Sequence, residues 1–136
     1  MSFEETQNFK IESASLREVR AFAREVFKKN SIFTGHTDDL VLALAEAAQN
    51  IVKHGYNNEP TKDEMKIIIK FNDNVLSMEL MDKGKPVVPS NIKPRDLDDI
   101  KAGGLGTFFI GQIMDEVVFK TTKVNWVNHL ILTKTF

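Results

Sequence analysis

The chain has 136 residues, 42% apolar, with a net charge of −1 and no cysteine. That length suits one domain burying roughly two thirds of its unfolded surface, and the composition is that of a folding chain rather than a disordered tail. Disulfides, thiolate metal sites and a Cys nucleophile are excluded, and the absence of a basic excess argues against nucleic acid as a direct partner.

The opening residues, Met1 to Glu5, are polar and acidic, unlike a signal peptide. No apolar run approaches the about 20 residues of a membrane span. We therefore expect a cytoplasmic protein with no membrane partner, organised as a single domain over 1–136.

Residues 8–11 suggest a short first strand. Ser15 and Glu18 form a capping-box pattern, in which the Ser oxygen accepts the Glu18 amide and the Glu side chain returns to the Ser amide. Leu16, Val19, Phe22, Ala23, Val26 and Phe27 recur at helical spacing, predicting an amphipathic helix over 16–29 that ends near Asn30. Thr37 is a candidate cap for a second helix over 37–54, with Asp38 and Asp39 beside its positive end and Gly55 at its close. Leu40, Val41, Leu44, Ala48, Ile51 and Val52 make its buried stripe.

Met65, Ile67, Ile69 and Phe71 alternate with charged residues and predict a half-buried strand. Asn72, Asp73 and Asn74 predict a hairpin turn, and 75–81 the return strand. A Pro-, Asp- and Lys-rich loop covers 83–102, a third helix 104–114, and a second hairpin 115–136 about residues 123–125. The order β-α-α-β-β-loop-α-β-β predicts an α+β two-layer sandwich, helices on one face of a mostly antiparallel sheet.

Three places in this order carry the candidate chemistry. On the second helix, at about 100° per residue, Glu46, Asn50 and Lys53 lie opposite the apolar stripe, with His54 at the margin. Glu46 and Asn50 are one turn apart and can reach one bound group; a solvated polar face would look the same. The alanines at 45, 47 and 48 keep the surroundings small enough for close approach. Asp82 falls on the face of Leu76, Met78 and Leu80 by period-2 alternation. It reads either as a turn aspartate bonded to nearby amides or as a carboxylate accepting the exocyclic amine of a base, with Gly84 letting a flat ring near the backbone. Gly103, Gly104, Leu105, Gly106 and Thr107 open the third helix, where free amides and small residues can receive phosphate. A flexible hinge into a helix would give the same pattern, and neither the P-loop nor the dinucleotide fingerprint is present.

Together, Glu46-x-x-x-Asn50 with His54, Gly55 and Tyr56, then Asp82-x-Gly84, then Gly104-Leu105-Gly106, resemble the N, G1 and G2 boxes of the histidine-kinase-like (GHKL) ATPase superfamily, over about residues 9–134. Within it the chain most resembles the single-domain anti-sigma regulatory factors that are serine/threonine kinases. The resemblance implies a Bergerat-type ATP-binding fold using ATP and Mg2+. Glu46 would be the general base and Asn50 the Mg2+ ligand. Asp82 would take the adenine amine with Gly84 beneath the ring. Gly104, Leu105, Gly106 and Thr107 would contact phosphates, and residues 85–102 would form a lid.

The chain departs from the family pattern at Pro86, at Val87-Val88 and at Thr107. His36, His54 and His129 lie in no phospho-acceptor context, and no dimerising helical hairpin precedes the domain, which argues against a complete histidine kinase. The resemblance implies a homodimeric anti-sigma factor that binds a sigma factor and phosphorylates a Ser or Thr on a STAS-type antagonist protein, regulating transcription. The alternative is a non-catalytic nucleotide-binding module of the same fold that switches partners by surface contacts alone.

Overall fold

A computed structural model describes residues 2–85, 105–121 and 125–136. In chain order the elements are β1 (Phe3–Lys10), α1 (Leu16–Lys28), α2 (Thr37–Asn50), β2 (Glu64–Asn72), β3 (Val75–Asp82), α3 (Leu105–Ile113), β4 (Glu116–Thr121) and β5 (Asn128–Thr135). The five strands form one sheet in the order β1-β2-β3-β5-β4, and every neighbouring pair is antiparallel. This is the α+β architecture expected from the element order.

One face of the sheet carries Met65, Ile67, Ile69 and Phe71 from β2, Leu76, Met78 and Leu80 from β3, and Leu130 and Leu132 from β5. All are buried, in one core with Val19, Ala23, Val26 and Phe27 of α1, Leu40, Val41, Leu44 and Ala48 of α2, and Ile110 of α3. Stripes at helical period meet alternation at strand period, and each element hides the face that water would penalise. At one end of the sheet the Phe33 ring meets those of Phe27, Phe71 and Phe136 at centroid distances of 5.1, 5.4 and 5.3 Å. That aromatic plug fills the end bearing Phe71 and Leu76, while Asp82 lies at the opposite end of β3.

Several local expectations are corrected. β1 begins at Phe3 rather than residue 8 and pairs with β2 from Phe3↔Phe71 to Lys10↔Glu64; its run Glu-Glu-Thr-Gln-Asn is polar because an edge strand is held by backbone pairing. The capping box does not form: Ser15 has φ −72° and ψ −16°, with no side-chain cap bond. Residues 13–15 already make a 3-10 turn that runs into α1, with the Ser15 N–H donating to Glu12 O at 3.0 Å. Thr37 is the first helical residue, not the cap, and its hydroxyl donates backwards to Phe33 O at 3.2 Å.

The α-helical part of α2 stops at Asn50, and residues 51–55 continue as one wide π-type turn. Asn57 and Asn58 then reverse the chain at φ 52° and 59°, and the Asn58 N–H donates to Val52 O at 2.9 Å. The β2–β3 hairpin turns as expected, on Asp73 and Asn74 at φ 51° and 64°, the handedness two-residue hairpins favour. Among the described residues no helix is long and apolar enough to cross a membrane.

Candidate nucleotide site

α2 presents Glu46 and Asn50 half-buried, one turn apart, as their spacing predicted. Lys53 and His54 are exposed on the wide turn that follows; π-type turns inside helices are common at functional sites. Gln49 lies between these residues. In the amide orientation that satisfies both neighbours, its Nε2 donates to Glu46 Oε2 at 3.3 Å and its Oε1 accepts from Lys53 Nζ at 3.1 Å. Glu46 thereby has one oxygen engaged along the helix.

Asp82 occupies the last position of β3, only 4% exposed. Its Oδ1 accepts from the Gly84 N–H at 2.8 Å and from Asn128 Nδ2 at 3.0 Å. Asn128 is the register partner of Asp82 across β3 and β5, so the pair meets as directly opposed residues do on one sheet face. Its second amide hydrogen goes to Lys85 O at 2.9 Å. Both readings of Asp82 are thus present in one residue: Oδ1 is a turn acceptor, and among the described residues Oδ2 has no partner.

Burial pushes the Asp82 carboxyl above its ordinary range; the Asn128 and Gly84 hydrogen bonds oppose this without cancelling it, and Asp63 adds to it. A carboxylate held with its charge poorly solvated gains from a hydrogen-bond donor brought by a ligand.

The end of α2 closes over this carboxylate. A Cβ placed on Gly55 would lie 3.8 Å from Asp82 Oδ1 and 3.9 Å from Ile51 Cγ2. At Gly84 the space is tighter: a Cβ would meet Gly55 O and Tyr56 Cε1, each at 2.7 Å. The flat ring for which Gly84 makes room is, on this side, the protein's own Tyr56. On the opposite flank the Val127 N–H donates to Asp82 O at 2.9 Å, and Lys83 Nζ lies 5.6 Å from the centre of the Trp126 ring.

Leu105, Gly106 and Thr107 lie in the first turn described for α3. Gly104, Gly103 and the expected lid through 102, with Pro86, Val87 and Val88, lie outside the described residues. Sequence reasoning missed Asn128, Gln49 and Asp63. Asn128 falls in the predicted second hairpin, but no local pattern marks it for the site; only the β3–β5 register brings it to Asp82.

Comparison with known proteins shows the family. A family model described as the histidine kinase-like ATPase domain matches residues 9–134. Serine-protein kinase RsbW from Staphylococcus aureus strains RF122 / ET3-1 and MRSA252 is 30% identical over 115 residues, covering 78% of this chain and 72% of the relative. Among solved structures, a chain of the SiaB–SiaC complex from Pseudomonas aeruginosa superposes with a TM-score of 0.64 at 13% identity, covering 97% of this chain and 88% of that one. The matched span holds α1, α2, the paired residues on α2 and the buried aspartate closing β3: this chain belongs to the histidine kinase-like ATPase domain family.

Proposed function

We propose that this chain is an ATP-dependent protein serine/threonine kinase that is also an anti-sigma factor, phosphorylating a STAS-type antagonist protein and thereby regulating transcription. The observation that carries the reading is the buried Asp82, with one oxygen anchored to Gly84 and Asn128, beneath the end of the helix that bears Glu46 and Asn50. The kinship with RsbW, a serine-protein kinase by name, supplies the reaction class.

In this reading Asp82 Oδ2 accepts the adenine amine, and Gly104, Leu105, Gly106 and Thr107 hold phosphates at the opening of α3. Asn50 offers a neutral amide oxygen, a donor that suits a hard cation sharing its shell with phosphates and water; Mg2+, when bound there, supplies charge neutralisation. Glu46 removes the proton from the attacking hydroxyl as its oxygen bonds to the γ-phosphorus. The bond from that phosphorus to the β–γ bridging oxygen breaks, and ADP leaves. Such a transfer needs positioning and electrostatics more than covalent help. We further propose a cytoplasmic homodimer that binds a sigma factor in one state and the antagonist in another.

The test is transfer of labelled phosphate from ATP to partner proteins, with nucleotide and partner binding measured on the same samples. Glu46→Ala should bind ATP and partners as wild type does and lose about 10²–10⁴ in transfer rate, the usual cost of removing a general base. A wild type that binds partners and never labels them sinks the kinase and leaves the partner-switching module. An equally fast Glu46→Ala shows that another group takes the proton.

A further inference from the structure

The stretch after Asp82 has each of its three backbone N–H groups assigned. Lys83 N–H donates to the Tyr56 hydroxyl at 3.2 Å, Gly84 N–H to Asp82 Oδ1 at 2.8 Å, and Lys85 N–H to Gly55 O at 3.0 Å. Two of the acceptors belong to the end of α2. Tyr56 is itself held, its hydroxyl donating to Asp63 Oδ2 at 2.8 Å. The Tyr56 ring occupies the space beside Gly84 that a Cβ would need. A chain of contacts therefore runs from Asp63 through Tyr56 to the 83–85 turn, and from that turn to one oxygen of the Asp82 carboxylate.

The consequence is geometric. With Oδ1 bound to an amide whose neighbours are both fastened, rotation of the carboxylate about its last bond is set by the turn. Oδ2 is thereby aimed. Burial, then Asp63, pushes the Tyr56 phenol well above its ordinary range, so the hydroxyl keeps the proton it donates to Asp63 at any physiological pH.

We propose that Tyr56, held by Asp63, is a positioning residue for base selection: through the 83–85 turn it aims Asp82 at an exocyclic amine and so sets the preference for adenine over guanine nucleotides. The inference rests on the reading of Asp82 as the base acceptor. Tyr56→Phe keeps the ring against Gly84 and removes both hydroxyl bonds. Asp63→Ala frees the hydroxyl without touching the ring. Asp63→Asn restores an acceptor through its amide oxygen.

The experiment is calorimetric titration of MgATP and MgGTP into wild type and these three variants, each checked for folding by its melting curve. ATP affinity should fall about three- to tenfold in Tyr56→Phe, the loss typical of one hydrogen bond. GTP affinity should hold within about twofold, because contacts to phosphates do not depend on Asp82. Asp63→Ala should show the same selective loss, and carries the test if Tyr56→Phe does not fold. Asp63→Asn should retain the wild-type ratio.

A merely structural tyrosine would lower both affinities by one factor; that result, or an ATP-to-GTP ratio unchanged in Tyr56→Phe and Asp63→Ala, overturns the proposal while leaving Asp82 as base acceptor. Equal ATP and GTP affinities in the wild type overturn the Asp82 reading itself, and this inference with it, before any variant is made.

Discussion

Replacing Gly84 by Ala tests the packing between β3 and the end of α2 directly. The added methyl would stand 2.7 Å from Gly55 O and from Tyr56 Cε1, and 3.0 Å from Tyr56 Cδ1, where ordinary contact begins at 3.4 Å. The shortfall at the two nearest atoms is 3.4 less 2.7, about 0.7 Å. A flexible side-chain tip could yield that much cheaply. Gly55 O cannot, since it is backbone and accepts the Lys85 N–H at 3.0 Å. Overpacking of this kind costs about 1–3 kcal/mol, and losing or stretching the Lys85 bond adds about 0.5–1.5 kcal/mol. A total of about 1.5–4.5 kcal/mol corresponds to a fall in Tm of about 5–16 °C for a domain of this size.

Thermal unfolding followed by circular dichroism, with urea titration at constant m-value, measures the effect. Tyr56→Ala removes one of the two obstacles and not the other. In that background the added methyl should cost less by about 1 kcal/mol, a coupling a double-mutant cycle resolves. A Gly84→Ala protein melting within about 2 °C of wild type would mean that the two segments do not approach as closely as described, and that Tyr56 does not hold the 83–85 turn.

Asn50→Ala should lower ATP affinity in the presence of Mg2+ to the level measured with excess chelator and leave the metal-free affinity unchanged; calorimetry with and without chelator reads both. Asp82→Asn should be at least as stable as wild type at neutral pH while losing the preference for ATP over GTP. The folded pKa of Asp82 is raised, so its favourable contribution is complete below the unfolded value of about 3.9 and is lost as pH rises through the folded one. The stability gap should therefore close in acid, as melts at pH 7 and pH 3 will show.

Glu79 has the opposite sign. It is buried on the other sheet face between Lys70 Nζ at 2.7 Å and His129 Nε2 at 2.6 Å. Burial pushes its carboxyl up, and these two partners more than offset that, holding it below its ordinary range. Its contribution is present above the unfolded value of about 4.3 and lost as pH falls through the folded one. Glu79→Gln should melt lower than wild type at pH 7, with the difference vanishing toward pH 3.

Period and punctuation alone determined the strands of the β2–β3 hairpin, the buried stripes of α1 and α2, and the order of elements. Those signals are local: Met65, Ile67, Ile69 and Phe71 declare one face of a strand whatever they pack against, and Asp73-Asn74 tolerate the left-handed backbone that the turn needs. The same alternation put Asp82 on the core face, and the helical wheel put Glu46 beside Asn50. The helix starts were not legible this way, because a Ser or Thr at the right spacing caps only if the preceding backbone leaves the amides free. At Ser15 a 3-10 turn had already taken the local geometry, and at Thr37 the hydroxyl turned back to Phe33. The polar half of β1 was hidden because edge pairing draws on backbone groups common to all residues. What tertiary structure decided was the setting of Asp82. Asn128 reaches it across 46 positions through the β3–β5 register, and Tyr56 reaches the turn beyond it because α2 ends against the sheet. Neither contact has a period or a spacing to announce it: hydrogen bonds between segments far apart in sequence come into being only when the sheet assembles and the helices fold down onto it.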